Sequence, residues 1–79
     1  IDTAHDRSAR KEIEICIRLN GELMHVPAST TLAALVAIRS PRPPFAVEVN
    51  KSLVRRPHYE STLLREGDIV EIVTLVGGG

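Results

Sequence analysis

The sequence predicts an α+β domain in which one helix packs against one face of a mixed sheet of four to five strands. Apolar and polar residues alternate strictly over residues 13–19, which is typical of a half-buried strand, and residues 69–75 form an apolar, β-branched run that is typical of a central strand. Between them, apolar residues recur at helical spacing over residues 32–39. A chain of 79 residues can bury only a small core, so a single domain is expected.

The first two strands are predicted to form a hairpin. One face of the first strand is apolar and comprises Ile13, Ile15, Ile17 and Leu19. Asn20-Gly21 follows directly, and this dipeptide suits the positive φ angles of a type I′ turn between antiparallel strands. In the returning strand, residues 22–26, Leu23 is expected to face outward. Pro27 then removes a hydrogen-bond donor and ends the strand.

A short helix is predicted to follow the hairpin and to cross the sheet. The hydroxyl groups of Ser29, Thr30 and Thr31 can cap its N-terminus. The residues expected on its buried face are Leu32, Leu35 and Val36. Pro41-Arg42-Pro43-Pro44 ends the helix, because proline disfavours the helical conformation at the residue before it. We interpret this segment as a stiff connector rather than a recognition motif.

Two further strands and a long connection are predicted after the prolines. The inward face of the third strand comprises Phe45, Val47 and Val49. Asn50-Lys51-Ser52 turns the chain, and Leu53-Val54 is expected to form a short fourth strand. Leu63 and Leu64 are both expected to anchor the connection to the core.

The last strand is expected to lie at the centre of the sheet. Arg65-Glu66-Gly67-Asp68 forms the turn into it, and Gly67 suits a positive φ there. One face of the strand comprises Val70, Ile72 and Thr74, and the other comprises Ile69, Glu71, Val73 and Leu75. Since both faces carry apolar side chains, the pattern is typical of a central strand.

The composition argues against several classes of function. Ten basic residues balance ten acidic ones, so the broad positive charge that non-specific nucleic-acid binding requires is absent. No apolar run approaches the roughly 18 residues of a membrane span, and residues 1–10 contain no apolar signal region. We therefore expect a soluble, cytoplasmic protein that binds neither nucleic acid nor membrane.

Few side chains could perform chemistry. Cys16 can be a reactive thiol or a small packing residue, and we favour the second interpretation because no base is predicted near it. The three histidines are scattered among different elements, which predicts no metal site. Arg55, Arg56 and His58 could bind phosphate, but with zero net charge we interpret them as a solvated loop. No catalytic residue is expected, and we predict that the protein is not an enzyme.

Three glycines, Gly77-Gly78-Gly79, follow the last apolar strand. Because glycine lacks a Cβ, they are expected to project as a thin, flexible tail carrying the α-carboxylate of Gly79. The predicted organisation has a disordered extension or cloning remnant (residues 1–10), a folded domain (residues 11–76) and the tail (residues 77–79). Taken alone, such a tail could equally be a cloning scar or a frayed end.

Several motifs, in this order, resemble the ThiS family of sulfur carriers. They are Asn20-Gly21, Val26-Pro27 with Thr30-Thr31-Leu32, Val47-Glu48-Val49-Asn50, the segment from Arg65 to Val73, and Val76-Gly77-Gly78-Gly79. The resemblance covers residues 11–79 and implies the β-grasp, or ubiquitin-like, fold. Two departures are the first ten residues and Arg55, which stands where proline is expected, and neither touches the tail.

The resemblance also implies the chemistry of the tail. A ThiF-like enzyme would use ATP and Mg²⁺ to adenylate the Gly79 carboxylate, and a sulfur donor would convert it to a thiocarboxylate. A ThiG-like thiazole synthase would then receive the sulfur. Gly77 and Gly78 would enter a narrow enzyme channel, and the carrier itself would bind no cofactor stably. The related MoaD carriers share the fold and the diglycine but tend to approach it through prolines, where this chain has Thr74-Leu75-Val76.

Docking is expected to depend on the folded body, because ordering the tail costs roughly 1–2 kcal/mol per residue. The apolar, outward-facing Val73 and Leu75, with Leu23 nearby on the sheet, are expected to form the docking patch. Three other functions stay open from the sequence. They are a MoaD-like carrier for molybdopterin, a ubiquitin-like modifier that forms an isopeptide bond, and a binding module whose carboxylate is never activated.

Overall fold

The computed structural model describes residues 13–75, and the predicted extension and glycine tail lie outside them. The elements, in chain order, are strands β1 (Glu14–Leu19) and β2 (Glu22–Pro27), helix α1 (Leu32–Arg39), strands β3 (Phe45–Val49) and β4 (Ser52–Val54), a 3₁₀ turn (Arg56–His58) and strand β5 (Ile69–Thr74). The strands form one sheet in the order β2-β1-β5-β3-β4. The predicted α+β class, with a five-stranded mixed sheet and one helix in the described part of the chain, is confirmed.

Strand β5 lies at the centre of the sheet, as predicted. It runs parallel to β1, where Leu19 is paired with Val70, and antiparallel to β3, where Val47 is paired with Ile72. The parallel pairing with β1 is short, whereas the pairing with β3 extends from Phe45 to Val49. The fold therefore holds β5 mainly through β3.

Two tight turns shape the two hairpins. In the turn between β1 and β2, Asn20 and Gly21 have φ angles of 51° and 87°, as the predicted type I′ turn requires. In the turn between β3 and β4, Asn50 and Lys51 also have positive φ angles, of 53° and 72°. The second turn thus places a lysine where the first uses a glycine.

Helix α1 begins and ends with specific caps. The Thr31 hydroxyl oxygen accepts a hydrogen bond from the Ala34 amide at 3.1 Å, which confirms the predicted N-terminal cap. Ser40 ends the helix with a left-handed φ of 48°, and its amide donates to the Val36 carbonyl. No helix among residues 13–75 is long and apolar enough to cross a membrane.

The core lies between α1 and the inner face of the sheet. The buried apolar side chains are Ile17, Leu19, Val26, Leu32, Leu35, Val47, Leu64, Val70 and Ile72. Val36 packs against this core while partly exposed. The long connection before β5 closes over the start of the helix, where the Leu32 amide donates to the Thr62 carbonyl and the Leu64 amide to the Thr30 carbonyl.

Two predicted core residues are exposed. Ile13 is 77% exposed because it precedes β1, at the end of the sheet beyond the buried cluster. Leu63 is 51% exposed, whereas the adjacent Leu64 is buried. Leu63 forms an isolated bridge with Thr31, and neighbouring side chains of an extended segment point to opposite sides, so only one of the two leucines reaches the core.

Candidate functional site

The predicted glycine tail continues from the central strand of the sheet. After β5 ends at Thr74, the Leu75 amide donates a hydrogen bond of 2.8 Å to the carbonyl of Pro44. Pairing with the segment before β3 therefore persists to the last described residue. Gly77, Gly78 and Gly79 lie outside the described residues. The chain thus leaves the domain from a position fixed by backbone hydrogen bonds.

A side-chain clip from the first turn also holds β5. The amide group of Asn20 accepts from the Ile72 amide at 2.8 Å and donates to the Ile72 carbonyl at 3.3 Å. The Asn20 backbone amide donates to the Val70 carbonyl as well. Since β1 ends at Leu19, the Asn20 side chain extends the parallel pairing where the strand itself has turned away. The sequence indicated only the turn role of Asn20, because the clip depends on which strand lies beside the turn.

A polar network fixes the start of β5. The Asn50 side chain accepts from the Ile69 amide and donates to an Asp68 carboxylate oxygen, at 2.9 and 3.0 Å. The other Asp68 oxygen accepts from the Arg65 amide, and Gly67 has the predicted positive φ, of 86°. Glu66 accepts from the Cys16 amide of β1 at 2.9 Å. Both ends of the strand are therefore anchored to neighbouring elements.

The outer face of the sheet, opposite α1, carries the predicted docking residues. The side chains of β5 alternate, with Val70 and Ile72 buried and Val73 directed outward. Val73 is 46% exposed, and Leu75, two residues on, is 50% exposed. In β3, Ala46 lies opposite Val73. Val73, Leu75 and Ala46 thus form an apolar area next to the point where the tail begins, which we call the tail-side patch.

Leu23 is exposed, as predicted, but it lies apart from the tail-side patch. It is paired with Arg18 in β1, and Arg18 is in turn paired with Ile69 in β5. Val73 lies four residues further along β5, a separation of about 13 Å along the strand. The sequence could not show this, because the register between β1 and β5 was unknown. Leu23 and Ile69 are exposed apolar side chains on either side of Arg18.

Two carboxylates separate Ile69 from the tail-side patch. Glu48 in β3 lies directly opposite Glu71 in β5, and the alternation of both strands directs them to the outer face. The sequence revealed two alternating strands but not their register, so this pair was missed. No single residue pattern predicts which side chains of distant strands become neighbours.

The remaining candidate side chains that the structure describes are dispersed over several elements. Cys16 is half-buried and lies opposite His25, which corrects the expectation that no base is near it, since their strands pair in a register that places both on the outer face. Within residues 13–75, no group of three or more His, Cys, Asp and Glu side chains could hold a metal ion. Arg55 and Arg56 are exposed at the edge of a shallow depression beside Tyr59.

Comparison with known proteins assigns this architecture to a class. The crystal structure of the thiamine biosynthesis protein ThiS from Geobacter metallireducens matches with a TM-score of 0.70 at 25% sequence identity, covering 82% of this chain and 100% of that one. The β-grasp, or ubiquitin-like, fold is thereby confirmed.

The sequence comparisons identify the family. The ThiS family model matches residues 17–79. A thiazole synthase from Magnetococcus marinus is 42% identical over 64 residues, which are 80% of this chain but 20% of that protein, so the chain spans about a fifth of this relative. The uncharacterized protein ycf40 of Porphyra purpurea is 35% identical over 68 residues, 82% of this chain and 93% of that protein. The chain belongs to the ThiS family of ubiquitin-like sulfur carriers.

Proposed function

We propose that this protein carries sulfur for the synthesis of the thiazole of thiamine, on the carboxylate of Gly79. The single observation that supports this most strongly is the ThiS family match, which includes the central strand and all three tail glycines, up to Gly79. The likeness to a thiamine biosynthesis protein and to a thiazole synthase favours the thiazole branch over the molybdopterin branch. The proposal requires Gly79 to be the last residue of the mature protein.

The proposed reaction begins with activation, because a carboxylate is a poor electrophile. A carboxylate oxygen of Gly79 attacks the α-phosphorus of ATP, with Mg²⁺ bound by a ThiF-like enzyme, and pyrophosphate leaves. The terminal sulfur of a donor persulfide displaces AMP from the acyl-adenylate and forms an acyl disulfide. A thiol then reduces the S–S bond, which releases the thiocarboxylate and leaves the donor and the thiol joined by a disulfide. A ThiG-like thiazole synthase takes the sulfur.

The proposed division of labour explains the scarcity of reactive groups on the carrier. Every bond-making step takes place in a partner enzyme, so the carrier supplies a substrate atom rather than a catalytic side chain. Glycine suits this atom, because a residue without a Cβ can enter a narrow channel and leaves its carbonyl open to attack. The carrier binds neither ATP nor metal stably in this scheme.

We propose that the tail-side patch of Val73, Leu75 and Ala46 forms the part of the docking surface nearest the tail. An exposed apolar area of this kind is typical of a protein interaction site when polar groups surround it. Leu23 and Ile69 extend the contact along the same face. Docking through the fixed sheet would then position the tail without requiring the tail itself to supply much of the binding free energy.

A one-residue extension of the tail tests the proposal. We expect alanine added after Gly79 to abolish ATP–pyrophosphate exchange by the ThiF-like enzyme, because the activated carboxylate would sit one residue too far along and beside a methyl group. A matched control is the substitution Leu63→Ala, far from the tail, which should keep exchange. Exchange that is unchanged by the extension would contradict the proposal and would favour a binding module whose terminus is not activated.

A further inference from the structure

Glu48 and Glu71 form a cross-strand pair of like charges. The flanking pairs, Asn50 with Ile69 and Pro44 with Leu75, are joined by hydrogen bonds from Asn50 to Ile69 and from Leu75 to Pro44. Since hydrogen-bonded and non-hydrogen-bonded pairs alternate along antiparallel strands, the Glu48–Glu71 pair is also of the hydrogen-bonded kind. The Cα atoms in such pairs are about 5.5 Å apart. Both carboxylates can therefore reach one small group placed between them.

Within residues 13–75, neither carboxylate has a hydrogen-bond or ion-pair partner. Like charges directly opposite each other on a sheet destabilise it. In the same structure, the carboxylates of Glu66 and Asp68 do accept hydrogen bonds from backbone amides. The Glu48–Glu71 pair thus has no partner in the described part of the chain, whereas the carboxylates at the start of β5 serve the fold.

The surroundings of the pair suit burial by a partner. Ile69 lies on one side along β5 and Val73 on the other, and Leu53 lies opposite Glu48 in β4. These three apolar side chains are exposed. A partner that covers them removes water from around the carboxylates and so strengthens any charge-assisted hydrogen bond that forms there. A partner without a cation at this position would bury two unpaired negative charges, which is strongly unfavourable.

We propose that Glu48 and Glu71 together receive a basic side chain, by geometry an arginine guanidinium, from the enzyme that docks on the outer face. A guanidinium is planar and presents several N–H donors in a fixed fork, so it can bridge two carboxylates held side by side. An ammonium group is a more strongly hydrated point charge and bridges such a pair less well. The pair thereby selects the partner and sets the register of the apolar contacts. This inference rests on the proposed function, since it names a partner residue for that docking event.

The test compares two double variants of the full chain. In E48Q/E71Q both charges are removed with the side-chain shape kept, and in the control E14Q/E60Q two exposed carboxylates elsewhere are removed. Affinity for the ThiF-like enzyme is measured by calorimetric titration at low and high salt, and Tm is measured for each chain. We expect E48Q/E71Q to bind about tenfold more weakly at low salt, with a flatter salt dependence, while the control binds like the wild type. The Tm of E48Q/E71Q should stay close to that of the wild type, because neither carboxylate has a hydrogen-bond or ion-pair partner within residues 13–75 to lose.

A loss of affinity without a loss of stability separates a docking role from a structural one. Affinity within about twofold of wild type would overturn the inference and would make the pair a solvated surface feature. A lowered Tm would also overturn it, since the pair would then be stabilising the fold. If the enzyme activates the wild-type chain and binds E48Q/E71Q equally well, this inference is contradicted and the proposed function is not. If no ThiF-like enzyme binds or activates the wild-type chain, both the proposed function and this inference are overturned.

Discussion

Asn20 is the residue in which turn geometry and strand anchoring coincide. Its positive φ opens the first turn, while its side-chain amide matches both hydrogen-bonding groups of Ile72. Aspartate and asparagine both tolerate the left-handed region, so the turn does not by itself select the amide. The clip to Ile72 does select asparagine over aspartate, because only an amide offers one donor and one acceptor side by side.

The substitution Asn20→Asp tests the clip. It keeps the size, the turn and the acceptor, but it replaces the donor with a second oxygen facing the Ile72 carbonyl. We expect the free energy of unfolding to fall by about 1–2 kcal/mol in denaturant titration, as for a lost and unfavourably replaced hydrogen bond. A change below about 0.3 kcal/mol, which is small beside the worth of one hydrogen bond, would mean that the clip contributes nothing.

The two tight turns offer a comparison at the scale of the element. Gly21 adopts its φ of 87° without steric cost, and a Cβ there would meet no atom within 4 Å. Lys51 adopts a φ of 72° in the equivalent position of the second turn, where a side chain is strained. The β3–β4 hairpin therefore stores a local cost that the β1–β2 hairpin avoids.

Replacing Lys51 with glycine should relieve that cost. We expect Lys51→Gly to raise the free energy of unfolding by about 0.5–1 kcal/mol, the relief of the left-handed strain being partly offset by the greater freedom of glycine in the unfolded chain. The reciprocal substitution Gly21→Lys should lower the free energy of unfolding by a similar amount. Thermal melts of both variants would measure the two changes. Destabilisation by Lys51→Gly would show that the lysine side chain makes a favourable contribution that outweighs its strain.

The local signals of each element were sufficient to predict most of the fold. Alternation in β1, the Asn20-Gly21 turn and the Thr31 cap each depend on residues close in sequence, and all three are confirmed. The predictions that were wrong concern features that depend on pairing between distant segments. Leu63 and Leu64 are equally apolar, and only the bridge to Thr31 decides which of them is buried.

The same limit applied to the candidate site. That Val73 and Leu75 face outward followed from the period of β5 alone, and their exposure confirms it. The distance of Leu23 from them and the meeting of Glu48 with Glu71 are set by the register of three strands. The local pattern of each strand does not predict its register with the other strands.

In the molecule as a whole, the sheet holds the exposed residues of its outer face, which we propose for docking, in fixed positions. The core lies wholly on the α1 side, so side chains on the outer face can change without opening a cavity. The tail continues from the strand that is anchored at both of its ends. The proposed docking surface is therefore distinct from the terminal carboxylate that is proposed to react.

A charged residue in the tail-side patch should separate docking from folding. We expect Val73→Glu or Leu75→Glu to weaken binding to the ThiF-like enzyme by about tenfold or more, because an unpaired charge would be buried in the contact. The matched control is Leu63→Glu, since Leu63 is 51% exposed and Leu75 50% but the two lie on different parts of the surface. All three variants should keep the wild-type circular dichroism spectrum. If Leu75→Glu and Leu63→Glu bind the ThiF-like enzyme with equal affinity, the tail-side patch is not part of the docking surface.

Intact-mass spectrometry of the full chain can detect sulfur on Gly79. The protein is incubated with its adenylating enzyme, ATP, Mg²⁺, a persulfide donor and a thiol, and the terminal peptide is then sequenced. If Gly79 carries the sulfur, we expect a mass gain equal to the replacement of one oxygen by sulfur, located at Gly79 and absent when ATP is omitted. Protein that keeps its original mass in the complete mixture, or that gains sulfur at Cys16 instead, would contradict the proposal that Gly79 carries the sulfur.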